Sequence, residues 1–529
     1  LTLRSIPLVA FVLATLWLAC LLVIFDPVWE TNDDVAMAMV AHGYGFASTG
    51  SPNLLFSNVL WGNIVLSLQG VGGLQGYSVG TLGTLWVVAF AILFCLTRLG
   101  AGLLLAASVT VLATAWPILF PQFTVNAGLL AATSVLALRT YIRTSDPIAL
   151  AGCCALAVLG FLVRPLEAAL IAVVALPLLP WQLLGKDRRL QLAAACTALA
   201  VVLAMAADYL AYQTAEWAVF TAQNVARAPY TDFDSAQIIK SHPAVMAANG
   251  YSANDIDLIS RWFFIDPQLF NPAKLTAMRS QAGANLGPIS IWSGSVSRVL
   301  NAFGVFASIR MWPLAAVAAV FLILFPRRRL LAAWALFAVA VFGLGYFGAS
   351  VHERVLLPVL VLLMIMPAAM SPAAGRLSLR LGVAAVVMSI AIQFTTLASK
   401  AAASTDTIEN EQAKLAPFHE DLVFVWGGSL AFEQTYPVKI APSYQSSSPR
   451  LFALGVMTLA PFSVAAEELR SGDPFFGRLR SENGLVIFAS DSEIALLRTY
   501  CEEHFQEHLT ATSAGNEYDQ PRRLRCAKR

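Results

Sequence analysis

Residues 6–25, IPLVAFVLATLWLACLLVIF, form an uninterrupted apolar run, and residues 26–34, DPVWETNDD, follow it at once. An α-helix needs roughly 20 such residues to cross a bilayer. The run is too long for the core of a signal peptide, and no Ala-x-Ala site precedes Asp26, so it reads as a retained helix. The acids beyond it, ending in the adjacent Asp33 and Asp34, fall at the boundary between lipid and water. Carboxylates at that depth suit taking a proton from a hydroxyl or holding a metal ion. They also suit a substrate carried on a lipid, whose reactive head lies in the same layer.

Composition sets the class around this opening. Of 529 residues, 58% are hydrophobic and only 12% charged, with a mean hydropathy of +0.68. Soluble domains carry roughly a quarter charged residues, so the chain is a polytopic membrane protein. A net charge of +2 argues against a nucleic-acid partner. Further apolar segments at 77–97, 100–116, 122–142, 147–163, 166–183, 190–211, 311–325, 330–347, 352–370 and 381–397 raise the expectation to about eleven spans. The alternate short loops divide by charge. One set holds Arg4, Arg98, Arg139, Arg143, Lys186, Arg188, Arg189, Arg327, Arg328, Arg329, Arg376 and Arg380; the other holds only Arg164 and Arg354. The positive-inside bias puts the N-terminus in the cytoplasm, and an odd number of spans puts the C-terminus outside the cell (inner) membrane.

Three segments are thereby exposed outside: loops 26–76 and 212–310, which belong to a transmembrane core 1–397, and the tail 398–529. Within the tail, 421–428 and 485–490 read as buried strands. Residues 491–509 read as a helix capped by Asp491 or Ser492. The expectation is a small extracytoplasmic (periplasmic) α/β domain. Cys501 and Cys526 lie in this tail, where an oxidising compartment would permit a disulfide between them; the other cysteines fall within predicted spans. No CxxC or HExxH motif suggests a structural zinc site.

Polar residues recur at the same outer boundary. Arg164-Pro165-Leu166-Glu167 turns between two spans, and His352-Glu353-Arg354 precedes Val-Leu-Leu-Pro358 at the start of another. Gln122 and Asn126 open a further span, and Asp208 lies near the outer end of one. Taken singly, each is read equally well as an interfacial anchor. Arg164 and Arg354 stand out because the charge bias runs against them, and a guanidinium at headgroup depth suits a lipid phosphate. Asn32 could also simply cap a helix beginning near Asp33, a role compatible with holding a reactive carboxylate rigidly.

The Asp33-Asp34 pair after the first span resembles the acidic motif of the GT-C glycosyltransferases, multi-spanning enzymes that use polyprenyl-phosphate sugars. The stretch His352-Glu353-Arg354-x-x-x-Pro358 is similar to the Arg-Tyr-x-x-Pro type of signature in several GT-C families, with Val355 where many relatives have Tyr. The resemblance covers roughly the membrane core. It implies transfer of a sugar from a polyprenyl-phosphate donor to a hydroxyl of a glycan, lipid or protein acceptor, by a single inverting displacement. Asp33 would be the general base and Asp34 its supporting acid. Arg164, Arg354 and His352 would stabilise the leaving phosphate, with Glu167 and Glu353 as further substrate contacts. A divalent cation, Mg2+ or Mn2+, would be held by Asp33 and Asp34 if one is used. Two rivals stay open: a polymerase or ligase moving glycans from lipid diphosphates, and a flippase or transporter. Translocation pathways place ionisable groups near the bilayer midplane, whereas the charges here lie at one boundary.

Overall fold

The structure, a computed structural model, describes residues 5–233, 235–283, 296–346, 351–369, 376–418, 421–440, 444, 448–472, 474–513 and 521–528. Arg4 and residues 284–295 of the second outside loop lie outside the described residues. Every predicted apolar segment overlaps a helix, but the one expected over 166–183 is broken: its helix ends at Ala175, a 3-10 turn follows at Leu176–Leu178, and a short helix resumes at Trp181–Leu184. The first half comprises α1 (Ile6–Ile24), α2 (Asn32–His42), α3 (Val59–Ser67), α4 (Gly76–Arg98), α5 (Leu103–Leu119), α6 (Phe123–Thr144), α7 (Pro147–Val163) and α8 (Pro165–Ala175). Long helices follow at Arg188–Ala211, Trp312–Leu324, Arg328–Tyr346, Glu353–Ala368 and Arg376–Leu415. Among the described residues, 6 helices are long and apolar enough to cross a membrane, or 7 if a bent pair ending at Leu324 is one span; α5, α7 and α8 are shorter apolar helices.

Apolarity all round marks a helix as buried inside a bundle, and α6 and Glu353–Ala368 are buried along nearly their whole lengths. They meet where α6 carries Gly128: a Cβ there would lie 2.4 Å from the Pro358 ring, so only glycine permits this approach. By contrast Arg188–Ala211 leaves most of its apolar side chains exposed and α1 about half of them, as lipid-facing helices do. At the end opposite the acids, Arg98 pairs with Asp146 at 3.0 Å and the Tyr141 hydroxyl donates to Asp187 at 2.7 Å.

The helix that carries the last predicted span does not stop at 397. It runs 40 residues to Leu415, about 60 Å at 1.5 Å per residue, and delivers the chain to the C-terminal domain. There β1 (Leu422–Trp426), β2 (Arg450–Leu454), β3 (Leu485–Phe488), β4 (His508–Ser513) and β5 (Arg522–Ala527) form one sheet in the order β2-β1-β3-β5-β4. β1 pairs parallel with β2 and β3, while β5 runs antiparallel to β3 and β4. The helix expected over 491–509 begins one residue earlier than foreseen in its capping: Ser490, not Asp491 or Ser492, is the cap, in a reciprocal box with Glu493. It ends in a π-turn at Phe505, and Gln506 in the left-handed region (φ 55°) releases the chain into β4. Cys501 and Cys526 form the disulfide, Cα atoms 6.2 Å apart, clipping that π-turn to β5.

The described helices between Ala215 and Gln281 share a core with this sheet: Phe263 packs among Trp426, Phe475 and Tyr500. The domain is also stitched to the first loop by backbone hydrogen bonds, from Leu451 N to Gly45 O, Ser48 N to Phe462 O and Val464 N to Phe46 O, all within 2.9 Å. These ties fix the domain over the acid-bearing end of the bundle.

Candidate active site

Thr31 has extended backbone geometry and is the N-cap of α2, one residue before the Asn32 foreseen for that role. The acids therefore sit in the first helical turn, where the helix dipole favours them. Successive residues on a helix point about 100° apart, so the two side chains take different surroundings. Asp34 is fully buried. Its Oδ1 accepts from the Phe123 N–H at 2.9 Å and the Tyr77 hydroxyl at 3.3 Å, and its Oδ2 accepts from the Thr31 hydroxyl at 2.9 Å. Burial pushes the Asp34 carboxyl well above the usual range; the Thr31 hydroxyl opposes this and the charge of Asp33 adds to it.

Asp33 instead faces a cavity of about 1000 Å³. Arg164, Glu167, His352 and Arg354 line the same cavity, so residues separated by more than three hundred positions in sequence converge there. Arg354 donates to Asp33 Oδ2 at 3.3 Å. Arg164 owes its position to Pro165, which bars the preceding residue from helical geometry: α7 ends there, the backbone extends (φ −155°), and α8 restarts at the proline. Its guanidinium lies 5.2 Å from the Phe123 ring centroid and 5.8 Å from that of Phe56, and it donates to the Phe56 carbonyl at 3.0 Å. Glu167 is buried, and its Oε1 has no hydrogen-bond partner among the described residues.

Glu353 is placed elsewhere. It does not line the cavity; its Oε2 lies 3.8 Å from Arg310, which is also bonded to Glu30. A single step along the helix turns it away from its neighbours His352 and Arg354. Gln122 caps α6 by accepting from Val125 N, Asn126 donates to Thr81 and Thr84, and Asp208 accepts from Val59 N, all local structural duties. As a metal site the acid pair fits poorly: Asp34 gives both oxygens to protein donors, which leaves Asp33 as the carboxylate of the pair that lines the cavity.

Other cavity residues were not among the sequence candidates for substrate contact. Asn32, next to Asp33, turns its amide nitrogen to Glu433 of the C-terminal domain at 2.8 and 3.0 Å. Burial, with the nearby charge of Asp33 contributing, raises the Glu433 carboxyl. From the second loop, Arg227, Asp232 and Trp262 reach the cavity, and Gly427, Gly455 and Thr458 complete the wall on the sheet side.

Together these features define a polytopic, mostly helical membrane protein in which Asp33, Glu167, Arg164 and Arg354 share one cleft between the helix ends and the C-terminal domain. No family model and no curated protein matches the chain. Among solved structures it is similar to ArnT from Cupriavidus metallidurans in the apo state, at 15% identity over 98% of this chain and 97% of that one, with a TM-score of 0.41. The same protein bound to undecaprenyl phosphate aligns at 14% identity over 99% and 97% of the two chains, with a TM-score of 0.36.

Proposed function

We propose that the chain is a GT-C-type glycosyltransferase that moves a sugar from a polyprenyl-phosphate donor to an acceptor hydroxyl on the extracytoplasmic side of the membrane. The observation that carries this reading is the convergence of Asp33, Arg354, Arg164, His352 and Glu167 on one cavity at the ends of apolar helices. In such a donor the lipid phosphate already activates the anomeric carbon. The acceptor hydroxyl gives its proton to the Asp33 carboxylate as its oxygen attacks that carbon. The bond from carbon to phosphate oxygen breaks, and its electron pair stays on the phosphate. Attack from the face opposite the leaving group inverts the anomeric centre.

Arg164 and Arg354 supply fixed positive charge where the phosphate charge grows, at the depth where a lipid-borne phosphate lies. Asp34 does not share the proton; it pins α2 to α4 and α6 so that Asp33 stays in place. Glu167, buried beside Arg164 with its Oε1 unpartnered among the described residues, offers an acceptor for a sugar hydroxyl. The Cys501–Cys526 disulfide supports an oxidising, extracytoplasmic setting for this end of the molecule. Mass spectrometry of surface glycans from a deletion strain tests the reading. A sugar missing from one glycan, and restored by the wild-type gene, is expected; an unchanged glycan profile contradicts it.

A further inference from the structure

Trp262 occupies a backbone position that chemistry reserves for glycine. The helix Ala253–Ser260 closes with two hydrogen bonds, from Phe263 N to Leu258 O and from Trp262 N to Ile259 O, each 3.1 Å. This is the Schellman arrangement, in which the residue just past the cap turns left-handed and is usually glycine. Phe263 and Leu258 bury together in the core beneath, as that motif requires. Trp262 holds φ +71°, a conformation that strains a bulky L-residue because its Cβ crowds the following carbonyl oxygen. Strain of this kind is kept where the side chain is needed, and this side chain lines the cavity that holds Asp33.

What it presents is a flat, braced surface. The Arg227 guanidinium stacks on the indole, 4.5 Å from the ring centroid. Arg227 is itself buried and locked by Asn224, Thr231 and Asp232. With Asp232 beside it the charge is largely balanced, so the platform does not select an anion. An aromatic plane with polar groups at its rim suits the apolar face of a pyranose or furanose ring. This platform stands on the extramembrane loop, whereas Asp33 and Arg354 stand at the helix ends. We infer that Trp262, backed by Arg227, is the acceptor-side subsite and stacks against a saccharide ring of the acceptor molecule. The inference rests on the glycosyltransferase reading above and names the acceptor as a glycan-bearing molecule.

The test uses the full-length protein in lipid nanodiscs and, in parallel, a complemented deletion strain. Trp262→Gly relieves the left-handed strain, and Trp262→Asn is also tolerated there, so both variants are expected to melt within a few degrees of wild type. In the strain, both should lower sugar transfer about tenfold, as loss of a stacked ring implies, while Trp262→Phe keeps most of it. In nanodiscs, saturation-transfer NMR with methyl hexosides and methyl pentosides should show ring-proton contact in the wild type and not in Trp262→Gly. Binding of undecaprenyl phosphate should be equal in the two proteins. Transfer within twofold of wild type in Trp262→Gly and Trp262→Asn overturns the subsite, as does a fall in transfer that only follows a fall in melting temperature. If those variants transfer normally while Asp33→Asn is dead, the subsite falls and the glycosyltransferase reading stands. If Asp33→Asn also transfers normally, the reading falls and the subsite with it.

Discussion

Asp33 and Asp34 adjoin in sequence but occupy opposite surroundings: Asp33 faces the cavity and meets Arg354 at 3.3 Å, while Asp34 is sealed among Thr31, Tyr77 and Phe123. The helical turn alone separates them. One carboxylate is therefore available to substrate and the other is committed to holding the helix.

Substitution should separate these duties. Asp34→Ala leaves the Phe123 N–H buried without its carboxylate acceptor and the Tyr77 hydroxyl with only the weak Met37 sulfur acceptor at 3.8 Å, a cost of roughly 1–3 kcal/mol. Its thermal midpoint in detergent should fall clearly, whereas Asp33→Ala should melt close to wild type. Equal stability of the two variants would show that Asp34 anchors nothing.

The arginines should distinguish phosphate binding from anchoring. If Arg164 and Arg354 grip phosphate through their planar fork, alanine at either position should lose about 100-fold in transfer, and lysine should recover only about a tenth of that loss. An interfacial anchor needs only a long stem and a charge, so full activity in Arg164→Lys and Arg354→Lys would remove both from the phosphate site.

Asn32 and Glu433 link the membrane core to the C-terminal domain beside Asp33, and their donor and acceptor roles can be exchanged. Asn32→Asp sets two carboxylates against each other and should lower transfer by about tenfold or more. Adding Glu433→Gln restores a donor facing an acceptor, and the double variant should recover a measurable part of the loss. A double variant no better than Asn32→Asp would mean that this contact does not position the site.

His504 should make the outer domain sensitive to pH. Its hydrogen bond with Asp255 (2.9 Å) raises its pKa above the ordinary value, with burial opposing. The folded state thus binds the proton more tightly than the unfolded state. The stabilisation is fully present below about pH 6.5, the unfolded value, and is lost as pH rises through the higher folded value. Melting temperature should decline across that range in the wild type and stay flatter in His504→Gln. Identical pH profiles would remove the pair from the stability of this domain.

The membrane helices were legible because long apolar runs have few other uses, and the polar ends of those runs marked Asp33, Arg164, Glu167, His352 and Arg354. Glu353 misled because its neighbours in sequence share the cavity, but a helix sends adjacent residues in different directions. β4 was missed because residues 506–509 continue the mixed pattern of the preceding helix, and only Gln506 in a left-handed turn breaks it. Trp262, Arg227 and Glu433 gave no local sign. Trp262 and Arg227 reach the cavity, and Glu433 reaches Asn32 at its edge, through the packing of Phe263 against the sheet and the stitching of the sheet to the first loop, contacts between positions hundreds of residues apart.

The central claim is that Asp33 is the base. The most direct measurement is sugar transfer in the deletion strain complemented with Asp33→Asn, alongside Asp33→Glu, each checked for normal membrane levels and melting temperature. Asn keeps the size and the contact with Arg354 in part but cannot accept the proton, so transfer should fall by at least ~100-fold, the usual scale for a general base. Glutamate keeps a carboxylate at a longer reach and should retain more activity than Asn. Transfer by Asp33→Asn near the wild-type level would contradict the account.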